Sequence, residues 1–147
     1  MIVFTQAHIH EIEGHGESTY PNECGGMLLG RFAPGGDRTV VETYPLLNSS
    51  LEDQSNRVLL LPRDVMRTER YAREKELDVI GYYHSHPDHP AVPSQYDLDH
   101  ALPIWSYVIV SVKKGKAADI RSWIMENDRS KFEEEERQIA DQASALI

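Results

Sequence analysis

Leu77-Asp78-Val79-Ile80-Gly81-Tyr82-Tyr83-His84-Ser85-His86-Pro87-Asp88-His89-Pro90-Ala91-Val92-Pro93-Ser94-Gln95-Tyr96-Asp97 is the stretch that decides the fold. Leu77–Ile80 is short and apolar enough to be a buried strand. Carrying that strand through Tyr83 sets His84 and His86 two residues apart, so their imidazoles leave the same face and can meet at one point. Pro87, Pro90 and Pro93 then oppose further strand or helix and predict a stiff, extended loop. Ser94-Gln95-Tyr96-Asp97 restarts the chain as a helix, close enough to return a carboxylate to the histidines. Two histidines and one carboxylate make a complete three-ligand set for a catalytic zinc, with a fourth position left for water.

The plainer reading of Ser94-x-x-Asp97 is a capping box, which needs no metal. It does not account for His84-x-His86 at the end of a neighbouring strand, and the metal reading is preferred. From the residues alone the third ligand is open among Asp97, Asp99 and His100. Asp88 and His89 fit less well, because they follow the histidines immediately in the proline loop.

His84-Ser85-His86-Pro87 followed by Ser94-x-x-Asp97 resembles the JAMM (MPN+) metalloprotease signature, and small stand-alone bacterial members carry a glutamate where Glu23 stands in Tyr20–Gly30. The resemblance extends to Ser106–Ser111 and Asp128-Arg129-Ser130 and so covers nearly the whole chain. It implies that His84, His86 and Asp97 bind one Zn2+ per chain, that Glu23 is the general base, and that Ser94 helps to hold the oxyanion. The zinc would lower the pKa of a bound water towards ~7. The implied activity is hydrolysis of a peptide or isopeptide bond after the Gly-Gly tail of a ubiquitin-like or sulfur-carrier protein. Two other classes compete: a zinc amidase acting on a small molecule, and a non-catalytic MPN scaffold, against which the intact ligand set argues.

Working outward, 147 residues suit one domain, 1–147, with a core that needs no staples. A net charge of −9 argues against an electrostatic grip on nucleic-acid phosphates. One cysteine forms no internal disulfide, which suits a reducing cytosol. Met1–Phe4 lacks a basic lead, and no apolar run approaches the ~20 residues of a membrane span. The chain therefore reads as soluble and cytoplasmic, with no nucleic-acid or membrane partner; a homodimer stays open.

A helix is expected from Thr5 to about Tyr20, its apolar face running from Ala7 or His8 through Ile9 and Ile12. His8 and His10 point about 200° apart on such a helix and make no chelating pair, so His8, His10 and His15 read as solvated. Glu23 precedes a strand over Met27–Phe32, with Gly25-Gly26 read as a turn in preference to a point of close approach by another backbone or a substrate. Cys24 reads as a buried small residue more readily than as a nucleophile. A turn at Ala33–Asp37 leads into a strand at Thr39–Tyr44, followed by a polar, irregular Asn48–Asn56 and a short strand at Arg57–Leu61. Pro62 opens a helix with Leu61, Val65, Thr68 and Ala72 on one face and its arginines mainly in solvent. Pro103 stops the helix begun at Ser94. Strands follow at Trp105–Val112 and Asp119–Glu126, around a turn at Lys113–Lys116. A last helix is expected from Ser130 to about Ala145, with Ser130 and Glu133 as capping box and Glu133–Glu136 on a solvated first turn. Without strict alternation of strand and helix, the fold class is α/β in the α+β sense: a mixed, curved sheet flanked by helices, as the MPN/JAMM resemblance also implies.

Overall fold

Tyr107-Val108-Ile109-Val110-Ser111-Val112 has a β-branched residue at four of its six positions, and every one of the six side chains is buried. Such a run suits a strand covered on both faces. In a computed structural model, which describes residues 1–46, 60–126, 128 and 130–140, it lies inside one mixed sheet. In chain order the elements are β1 (Ile2–Thr5), α1 (Gln6–Thr19), β2 (Gly25–Phe32), β3 (Arg38–Leu46), α2 (Pro62–Glu74), β4 (Asp78–Pro87), α3 (Gln95–His100), β5 (Ser106–Lys113), β6 (Lys116–Met125), β7 (Phe132–Glu135) and β8 (Arg137–Ala140). The sheet order is β7-β6-β5-β4-β2-β3-β1-β8. β4 lies between β5, to which it is parallel, and β2, to which it is antiparallel.

Alternation along β4 divides the molecule. Tyr83 and Ser85 face α1, whose Ile9 and Ile12 pack with Phe4, Leu28, Val110 and Val112 in one core. Complete burial of Ile12 alone stabilises by roughly 2 kcal/mol. Tyr82, His84 and His86 face the other way, where Trp105, Tyr107 and Met27 form a second core bordered by Val65 of α2 and Leu98 of α3. The candidate site belongs to this second face.

Two glycines are dictated by close approach. At Gly26 a Cβ would sit 2.2 Å from the Tyr83 ring, so Gly25-Gly26 is strand backbone under an aromatic ring and not the expected turn. At Gly30, beside the register shift in β2, a Cβ would lie 1.8 Å from the Thr39 carbonyl oxygen, which is backbone and cannot rotate away. Gly30→Ala is therefore expected to cost about 3 kcal/mol, read as a fall of several degrees in the thermal midpoint.

Several expectations need correction. No strand is expected from the sequence ahead of the first helix, yet Ile2–Thr5 forms β1, with Ile2 and Phe4 fully buried. His8 is buried rather than solvated: Nδ1 accepts from the Thr5 amide at 3.1 Å, and Nε2 lies 3.0 Å from the Val41 carbonyl. His15 is half-buried, with Nδ1 2.7 Å from the Tyr83 hydroxyl; of these three histidines His10 alone is exposed. Leu60 and Leu61 lie outside any strand; Arg57–Leu59 and the expected Asn48–Asn56 segment fall outside the described residues.

The expected C-terminal helix is two strands, as far as Ala140; residues 141–147 are outside the described residues. Tertiary pairing overrides the helical pattern there. β7 adds to β6, and Phe132 packs edge-on against Tyr107, ring centroids 5.6 Å apart. Glu135, expected in solvent, is buried and accepts from the hydroxyls of Ser106 at 2.7 Å and Ser122 at 2.8 Å. Ser106 also accepts from Arg38 at 3.1 Å, which gives the buried carboxylate a polar network. After Glu136 the chain crosses to β1, so the sheet curls until its two margins meet.

Candidate metal centre

His84 and His86 converge because β4 stays extended through both of them. Their Nε2 atoms are 3.1 Å apart. Asp97 enters from the first turn of α3, with Oδ1 3.1 Å from His84 Nε2 and Oδ2 3.3 Å from His86 Nε2. Tetrahedral zinc with bonds of 2.0–2.1 Å separates its ligands by about 3.3 Å. The three side chains thus have the spacing and donor set of a metal site, and this group could hold a metal ion.

The same short loop that delivers Asp97 also orients a histidine. His86 Nδ1 donates to the Pro90 carbonyl at 2.9 Å, which leaves Nε2 with its lone pair towards the cluster. His84 stacks on Tyr82, centroids 5.6 Å apart, and its Nδ1 is buried without a hydrogen-bond partner among the described residues. Ser94 caps α3: its hydroxyl accepts from the Asp97 amide at 3.1 Å, and its own amide donates to Asp97 Oδ2 at 2.8 Å. The capping box and the cluster are therefore one structure, the cap holding the carboxylate against the histidines. Ser94→Ala should cost about 1 kcal/mol of stability through the lost cap, measurable by thermal denaturation.

Electrostatics agree with the geometry. Burial opposes ionisation of Asp97, yet hydrogen bonding to His84 and His86 outweighs it and holds the carboxyl well below its usual range. Burial likewise opposes charge on His86, but Asp97 and the Pro90 carbonyl raise its pKa overall. The two other third-ligand candidates are occupied elsewhere. Asp99 is exposed and accepts from Gln95 at 2.8 Å, while His100 Nδ1 is 2.8 Å from the Tyr96 carbonyl.

Glu23 reaches this site through strand register. β2 is paired with β4 so that Gly25 is opposite His84, which sets Cys24 beside Ser85. The Cys24 amide donates to Ser85 Oγ at 2.8 Å, and the Ser85 amide donates to the Cys24 carbonyl at 3.1 Å. Half-buried Glu23 then lines a cleft of about 420 Å³ together with His84 and Asp97. Ser94 is not part of that cleft; it is exposed and borders a smaller depression with Trp123 and Phe132. Burial pushes the Cys24 thiol up to about 11, which disfavours a thiolate nucleophile.

Sequence reasoning missed the Pro90 carbonyl, the Ser85–Cys24 bridge and the cleft's aromatic wall. Ser85 alone had a visible signal, since it sits between the two histidines and must point away from them.

The family comparison agrees with this geometry. The chain belongs to the prokaryotic homologs of the JAB domain, whose family model matches residues 5–126. A solution structure of a Salinibacter ruber protein is 38% identical, with a TM-score of 0.74, covering 96% of this chain and 92% of that one. A solution structure from Desulfitobacterium hafniense is 32% identical, with a TM-score of 0.82 and coverage of 97% and 94%. A JAB1/MPN domain protein from Archaeoglobus fulgidus, 18% identical, shares the fold with a TM-score of 0.60 and coverage of 95% and 99%. No match was found among curated proteins. The JAB domain family includes metalloisopeptidases, and membership is compatible with a metal-dependent hydrolase or a scaffold role. Among the described residues no helix is long and apolar enough to cross a membrane.

Proposed function

We propose that the chain is a zinc-dependent amide hydrolase that cuts after the Gly-Gly tail of a ubiquitin-like or sulfur-carrier protein. The observation that carries this reading is the meeting of His84, His86 and Asp97 at ligand spacing, with Glu23 on the same cleft. A scaffold has no need for such a set.

His84 and His86 would hold the ion through Nε2 and Asp97 through its carboxylate. When bound, the zinc supplies Lewis acidity towards an amide carbonyl and makes water more acidic. Glu23 takes the proton from the attacking water and passes it to the departing amine nitrogen as the C–N bond breaks. Pro90 keeps the His86 proton on Nδ1, away from the ion. The Ser94 hydroxyl, already accepting from the Asp97 amide, retains its own proton for donation. In the proposed role that proton is offered to the substrate oxyanion from the Asp97 side of the cluster, since Ser94 borders the neighbouring depression and not the cleft itself. An extended Gly-Gly tail suits this chemistry because it needs no side-chain clearance beside the ligands.

The test is to incubate the metal-loaded chain with small carrier proteins extended beyond Gly-Gly and to weigh the products. Cleavage after the second glycine is expected. Turnover of small amides with no carrier cut would favour the small-molecule amidase instead, and no turnover of either would favour the scaffold.

A further inference from the structure

Resting on the Proposed function above, we infer that the cleft beside the metal-ligand cluster is a side-chain pocket for a bulky apolar residue on the leaving-amine side of the scissile bond. The pocket's volume of about 420 Å³ is far more than a glycine tail occupies. Two glycines on the acyl side bring no side chain to fill it. Its wall is built from aromatic rings continuous with the cluster. His84 stacks on Tyr82, Tyr82 meets Tyr107 edge-on at 6.2 Å, and Tyr107 leans on Trp105 at 6.4 Å. Tyr82, Tyr107 and Trp105 are all buried, so the wall is fixed before any ligand arrives. The Tyr107 hydroxyl accepts from the Leu102 amide at 2.6 Å and pins the segment that forms the rim. Val65 of α2 also lines the pocket.

Charge on the pocket favours a neutral apolar group. Its acidic members, Glu23 and Asp97, belong to the reacting end, and the remainder is aromatic or aliphatic apart from His84 and His100. Glu23 must deliver its proton to the departing nitrogen, so the amine fragment leaves through the cleft that Glu23 lines. A phenylalanine or leucine carried on that fragment is desolvated there, whereas a glutamate would lose hydration and bring a second negative charge beside Glu23.

The experiment uses the metal-loaded full chain and carriers that differ only in the residue after Gly-Gly: Phe, Leu, Ala or Glu. Phe and Leu should exceed Ala by at least about tenfold in kcat/KM, and Glu should be poorer still. Val65→Trp, which fills the pocket from α2, should erase that preference, bringing the ratio of kcat/KM for the Phe carrier over the Ala carrier from about tenfold to about one. Phenylalaninamide titrated into the metal-free chain provides a readout independent of turnover. Isothermal titration calorimetry should show it binding the parent and not Val65→Trp, with circular dichroism verifying that the variant is folded.

Equal kcat/KM for all four carriers overturns the pocket and leaves the hydrolase intact. Phenylalaninamide binding with no carrier cut overturns the hydrolase reading and, with it, the assignment of the pocket to a leaving group, leaving an apolar amine site. Absence of both binding and preference overturns the inference outright.

Discussion

Replacing Glu23 with Gln is expected to lower amide hydrolysis by about 10²–10⁴-fold while the purified chain keeps its full metal content. The substitution preserves shape while removing the basicity and the charge, one carboxylate oxygen giving way to an NH2 donor. Glu23 lies outside the cluster of His84, His86 and Asp97, so the ligands lose nothing. Its backbone stays where the Cys24–Ser85 bridge holds it, because both hydrogen bonds of that bridge come from neighbouring residues. The thermal midpoint should therefore hardly move. Elemental analysis and product mass measured on the same preparation decide the matter. Undiminished turnover by Glu23→Gln would remove Glu23 from the mechanism, and lost metal would make it a ligand instead of a base.

What the sequence displayed and what it hid follow from the range of the interactions. The histidine pair was legible because i and i+2 on one strand share a face whatever the rest of the chain does. Asp97 was legible because a capping box spans only four residues, although choosing it over Asp99 and His100 required the folded loop. The central strands were legible because a long β-branched run has few alternatives. The C-terminal strands were hidden because their local pattern is helical. Only the distant Ser106 and Ser122 hydroxyls and the free edge of β6 explain why Glu135 sits in a strand. His8 misled for the same reason: Val41, 33 residues away, supplies the carbonyl that holds it inside. β1 is too short to announce itself until β3 and β8 flank it. The Glu23 position depends on the register of β2 against β4, which no window of sequence contains.

Asp97→Asn is expected to abolish stable metal retention, from about one ion per chain to near none after dialysis, with little loss of helix capping. The carboxylate has two jobs that this substitution separates. As a cap, Asp97 accepts the Ser94 amide through Oδ2, and an asparagine oxygen can accept that bond equally well. As a ligand it contributes the negative charge that two neutral imidazoles cannot supply, and the amide removes it. Added zinc at about 100 times its dissociation constant stabilises a native-only site by about 2.7 kcal/mol. The parent should accordingly gain several degrees in thermal midpoint with zinc, and Asp97→Asn should gain none. Without metal Asp97→Asn should melt below the parent at neutral pH, because the ionised carboxylate held low by His84 and His86 contributes stability that a neutral amide loses. Asp97→Ala, which also forfeits the cap, should melt lower still by the equivalent of about 1 kcal/mol. Asp99→Asn serves as the matched control and should behave as the parent, since its carboxylate is exposed and bonded to Gln95. A zinc-dependent shift that survives in Asp97→Asn but disappears in Asp99→Asn would transfer the ligand role to Asp99 and break the link between the α3 cap and the metal centre.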